Sequence, residues 1–125
     1  MTGVQTCALP IFSEFQAIYP NDSLSFHASE YIKELRDKLG EREIHTAELY
    51  RKMLSPNSAL IYYESTISNY PDTKFLEPAY IGKIEVLIQM KRYDEALTTI
   101  DVFRRAFPNS QNLELVASLE KTIPK

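Results

Sequence analysis

The chain has 125 residues, 44% hydrophobic and 25% charged, which is ordinary globular usage and leaves room for one domain. Its 14 Lys and Arg against 17 Asp and Glu give a formal charge of -3, excluding the basic footprint of nucleic-acid binding. A single cysteine, Cys7, excludes an internal disulfide or thiolate cluster, and glycines at 3, 40 and 82 are too dispersed to cradle a phosphate.

The first eleven residues, MTGVQTCALPI, lack the basic start and apolar stretch of a secretory signal. Cys7 also lacks the apolar region that precedes a lipid-attachment cysteine. The string resembles translated sequencing-adapter sequence, so 1–11 is read as a non-native or disordered leader and 12–125 as the folded domain. No run of about 18 to 20 apolar residues is present to span a bilayer.

Helices are predicted over 11–19, 23–39, 41–54, 56–70, 75–91, 93–107 and 111–122, with Gly40 a bend between the second and third. Leu24, Ala28, Tyr31, Ile32, Leu35 and Leu39 form one apolar stripe at helical spacing. Ala59, Leu60, Tyr63, Ile67 and Tyr70 form another, and Tyr93, Ala96, Leu97, Ile100, Phe103 and Phe107 a third. Ser55 before Pro56 reads as an N-cap followed by proline at the first helical position, where its missing N–H costs nothing. Glu34 with Lys38, and Glu48 with Lys52, stand at the four-residue spacing of helix ion pairs.

Three strings punctuate the chain: Tyr19-Pro20-Asn21-Asp22, Tyr70-Pro71-Asp72-Thr73 and Phe107-Pro108-Asn109-Ser110. In each an aromatic closes a stripe, proline ends the helix, and a short polar side chain is available to the next helix start. The last two prolines are 37 residues apart, and Ala59 and Ala96 keep that period. Such a repeat indicates stacked helical pairs. Set on the 34-residue tetratricopeptide pattern, Pro71 brings Ala47, Tyr50 and Ala59 to its small, aromatic and small positions. Pro108 brings Ala96 to the second small position, but Ile84 and Leu87 stand where the first helix has a small residue and an aromatic. The fold class is therefore all-α, an α-solenoid of tetratricopeptide-like helix pairs. Pro20 and Pro71 are 51 residues apart, one repeat plus an inserted helix at about 23–39.

The run YIKELRDKLGEREIHTAELY at 31–50, followed by Tyr70-Pro71-Asp72-Thr73, resembles the outer-membrane β-barrel assembly lipoproteins of the BamD or YfiO type. The resemblance covers about residues 12–110 and includes the inserted helix, which generic tetratricopeptide arrays lack. It implies a C-terminal part, roughly repeats three to five, of a lipoprotein on the periplasmic face of the outer membrane. Its partners would be other proteins of the assembly complex, with the membrane reached only through a lipid anchor missing from this chain.

Glu41, His45 and Glu48 share a helical face with metal-ligand spacing, but exposed helix charge explains them more cheaply. His27 has no nucleophile or carboxylate at an informative spacing, and Asp94 with Glu95 suit a helix start better than acid and base work. No catalytic residue, metal or cofactor is expected. The first helix of each repeat pair is expected to line the binding surface, which selects Glu48, Arg51 and Lys52 from one helix and Ile81, Glu85, Ile88 and Gln89 from the next. Arg51 is a candidate anchor for a partner carboxylate and Ile81 with Ile88 a candidate apolar contact, unless both isoleucines pack within the stack. Of the adjacent Tyr62 and Tyr63, Tyr63 fits the core stripe and Tyr62 is the candidate exposed aromatic. These features point to a non-enzymatic protein scaffold, and the resemblance implies that it serves barrel assembly. The alternatives are a periplasmic tetratricopeptide adaptor coordinating cell-envelope processes, which should lack the inserted helix, and a helical module of an enzyme.

Overall fold

The computed structural model describes residues 23–124. The expected leader at 1–11, the helix at 11–19 and the Tyr19-Pro20-Asn21-Asp22 string lie outside the described residues. The described residues form five α-helices: α1 (Ser23–Lys52), α2 (Pro56–Asn69), α3 (Leu76–Gln89), α4 (Tyr93–Ala106) and α5 (Leu113–Lys121). The fold class is all-α. The chain divides at residue 38 into two compact units. In the first, Ala28 is buried, Ile32 and Leu35 are half-buried, and Tyr31, expected on the buried stripe, is 52% exposed.

The two helices predicted over 23–39 and 41–54 are one. A helical glycine costs about 1 kcal/mol relative to alanine, so Gly40 marks a weak point in sequence terms, yet α1 runs through it. Its missing side chain serves packing instead: a Cβ at 40 would lie 3.2 Å from the Thr73 hydroxyl oxygen and 3.3 Å from the Phe75 ring.

From Leu39 onward the helices pack in chain order, α2 on α3, α3 on α4 and α4 on α5, and α5 also touches α3. Fully buried Ala47, Ala59, Ala79 and Ala96 let backbones approach, while Tyr63, Ile84, Leu87, Ile100, Phe103 and Val116 fill the core. Ile84 and Leu87, the departures from the repeat pattern, are therefore buried core residues, as their counterpart Ala47 is, while Tyr50 is half-buried against the core. The close approach in this repeat moves to Gly82, where a Cβ would fall 2.3 Å from two ring carbons of Tyr63.

The 37-residue period extends to individual hydrogen bonds. Ser55 N–H donates to the Tyr50 carbonyl and Arg92 N–H to that of Leu87, both at 2.9 Å. Leu54 N–H donates to Arg51 and Lys91 N–H to Ile88. Both hairpins thus close with a Schellman motif whose left-handed residue is not glycine, Leu54 at φ 58° and Lys91 at φ 61°. At the other connection, Thr73 N–H reaches the Tyr70 carbonyl at 3.3 Å and Ser110 N–H that of Phe107 at 3.2 Å. Thr73 Oγ1 accepts from Phe75 N–H and Ser110 Oγ from Asn112 N–H. The expected cap at Ser55 takes another form, since its hydroxyl donates to Ser58 Oγ at 3.0 Å and caps no backbone N–H. Pro56 does occupy the first turn.

Candidate partner-binding surface

Helices α1 and α3 are the first helices of successive pairs, and their last turns lie together. The Arg51 guanidinium donates to Glu85 Oε2 at 3.0 Å and to the Tyr63 hydroxyl at 3.4 Å. Burial disfavours the Arg51 cation, but the bonds to Tyr63 and Glu85 outweigh it and raise its proton affinity above the ordinary value. Burial likewise pushes the Tyr63 phenol up, against the opposing pull of Arg51. Arg51 is thus held as a permanent cation whose geometry is set from two other helices.

Beside it opens a cleft of about 410 Å³ lined by Glu48, Arg51, Lys52 and Gln89. The expected spacing therefore brings four predicted contact residues to one place, and Glu85 stands behind them as the partner of Arg51. Glu48 does not pair with Lys52: its carboxylate lies 3.9 Å from His45 Nδ1, and His45 Nε2 lies 3.4 Å from Glu41. These three side chains are exposed, and among the described residues no group of three or more His, Cys, Asp or Glu side chains is arranged to hold a metal. The cleft presents a cation, an ammonium, an amide and a carboxylate, a set suited to hydrogen-bonding a polypeptide.

The other three candidates behave differently. Ile81 and Ile88 are half-buried and pack against the core, so they are not a free apolar contact. Tyr62 is half-buried and stacks on Tyr50, with centroids 5.4 Å apart and planes 15° from parallel. A buried Tyr63 forced Tyr62 off the core stripe, and the ring found Tyr50 rather than solvent. Sequence reasoning missed Tyr63 as a polar partner of Arg51. No signal in the sequence pointed to it, since in the 37-residue register of this chain the equivalent of Arg51 is Ile88, and Tyr63 reads only as a core aromatic.

A second cleft, about 290 Å³, is lined by Glu64, Lys83, Leu87, Asp94, Glu95, Thr98 and Thr99. Lys83 lies 3.7 Å from Glu64 across α2 and α3, and Glu95 is chelated by Arg92, one bond being 2.7 Å. Asp94 and Glu95 occupy the first turn of α4, where negative charge is favoured, but neither caps it. His27 meets the Phe26 ring edge-on at 6.0 Å.

No helix among the described residues is long and apolar enough to cross a membrane. Comparison with curated proteins gives no match. The family model YfiO, outer membrane lipoprotein, matches residues 2–90. That span takes in α1, with its inserted segment, the Arg51 site, and α2 and α3. On this match the chain belongs to the YfiO family of outer membrane lipoproteins.

Proposed function

We propose that the chain is a non-enzymatic scaffold for protein–protein contacts in the assembly of outer-membrane β-barrel proteins, working on the periplasmic face of the outer membrane. The observation that carries this reading is the cleft at the last turns of α1 and α3, where Glu48, Arg51, Lys52 and Gln89 converge in a member of a lipoprotein family. Arg51 is held ready by Glu85 and Tyr63, so little ordering entropy remains to be lost when a partner docks. The helical state of the inserted segment, continuous with the repeat helix, favours this reading over an envelope adaptor that would lack it. Tyr62, Ile81 and Ile88 pack against the core and are not part of the proposed contact surface.

The test is binding to the periplasmic domains of the barrel-forming assembly subunit from the same source. The full chain should retain them, and the exposed substitutions Glu48→Lys with Gln89→Glu should weaken retention by about tenfold, the loss of roughly 1.4 kcal/mol. Retention no greater than background by the unsubstituted chain overturns the proposal.

A further inference from the structure

The loop-side end of α1 carries a feature that protein docking in the cleft does not use. Leu49, Met53 and Leu54 are 55%, 62% and 81% exposed. Leu49, Lys52 and Met53 stand three and four residues apart and so share one helix face, and Leu54 follows at once in the turn. Leu54 holds φ 58°, a conformation that disfavours any side chain with a Cβ. Its counterpart one repeat later, Lys91, adopts the same backbone with a polar side chain, so the turn itself does not require an apolar residue. A large aliphatic group is therefore kept in solvent at a strained position where glycine would be favoured.

Charge accompanies it. The last turns of α1 and α3 are neighbours through Arg51 and Glu85, so the two hairpin turns emerge from the same end of the stack. Lys52 and Lys91 are both exposed there, and among the described residues neither belongs to an ion pair. The apolar groups protrude from a helix end and line neither cleft. A polypeptide partner gains from concave, well-packed contacts, whereas a fluid lipid surface accepts protruding aliphatic groups without shape matching and attracts the cations beside them.

We propose that this end of the stack, with Leu49, Met53 and Leu54 as the inserted groups and Lys52 and Lys91 as the flanking cations, docks on an anionic phospholipid surface. The contact uses the aliphatic tip that lies outside the cleft and shares only Lys52 with the cleft's rim.

Vesicle co-sedimentation of the full chain tests it. Vesicles of phosphatidylethanolamine with about one third phosphatidylglycerol should retain the protein, and the bound fraction should drop at least about fivefold in high salt. Met53→Ser with Leu54→Ser should reduce binding at least about tenfold. The melting temperature should remain within a few degrees, because both side chains are in solvent. Lys91→Glu, at a position outside both clefts, should also lower vesicle binding, by at least about twofold. Absence of co-sedimentation, equal binding to purely zwitterionic vesicles, or undiminished binding by the serine variant overturns the proposal. So does loss of a protein partner by the serine variant when vesicles bind neither form, which assigns the aliphatic tip to protein docking. Failure of the assembly-subunit retention test leaves this result untouched, since the lipid-binding variants at Met53, Leu54 and Lys91 lie outside the cleft.

Discussion

At Gly82 the absence of one methyl group decides how closely two helices meet. The Tyr63 ring occupies the space a side chain would need, and with only 2% of Tyr63 exposed the ring has nowhere to retreat. Gly82→Ala gains about 1 kcal/mol of helix propensity but forces an overlap costing typically up to about 3 kcal/mol. A net loss of about 2 kcal/mol is expected in urea unfolding, together with displacement of the Tyr63 hydroxyl from Arg51. The two left-handed residues predict the opposite sign. Lys91 is exposed at φ 61°, so Lys91→Gly removes strain of about 1 kcal/mol or more. Glycine's greater freedom in the unfolded chain offsets about 0.4 to 1 kcal/mol of this, so the melting temperature should rise by only about 2 to 4 °C. Neither position was legible beforehand: Gly82 reads as a helix weakness until Tyr63 is seen against it, and a Schellman turn normally announces itself with glycine at the place held here by Leu54 and Lys91.

Among the helices, the boundaries written in proline and aromatics were legible and the joint inside α1 was not. Pro71 and Pro108 end α2 and α4 within a residue or so of the expected positions, because the ring constrains the residue before it. Gly40 carries no such compulsion, and packing against Thr73 and Phe75 overrides its propensity. The link between α4 and α5 gives a pH prediction. Arg104 grips Glu120 with two bonds, 3.1 and 2.9 Å, and this hydrogen bonding holds the carboxyl below its ordinary value of 4.5. A carboxylate with a depressed folded-state pKa stabilises fully above its unfolded value, and that stabilisation fades as pH falls through the depressed one. Glu95 beside Arg92 follows the same sign. Denaturant midpoints of the protein and of Glu120→Gln should therefore differ near neutral pH and converge well below pH 4.5. A gap that persists in acid would assign the effect to packing.

Over the whole repeat region, 39–124, the period read from two prolines proves to govern backbone hydrogen bonds, buried positions and strained turns alike. That is why the cleft was partly legible: register alone brought Glu48, Arg51, Lys52 and Gln89 to one rim. Register does not report which side chains are already engaged, so the Arg51–Glu85–Tyr63 group and the Tyr50–Tyr62 stack emerged only from the packing. Among the matched sites at which the two repeats differ, one pair faces the turn that follows. Position 40 is a glycine pressed against Thr73 and Phe75, whereas its equivalent, Glu77, uses Oε1 to accept bonds from the Ser110 hydroxyl and, at 3.0 Å, from the Asn112 amide. A carboxylate grafted at 40 would collide with the neighbouring turn, and a glycine at 77 would strip Ser110 and Asn112 of their acceptor. A consensus averaged from the two units, or an exchange of one for the other, would therefore assemble poorly, because each unit is cut to fit only the neighbour that follows it.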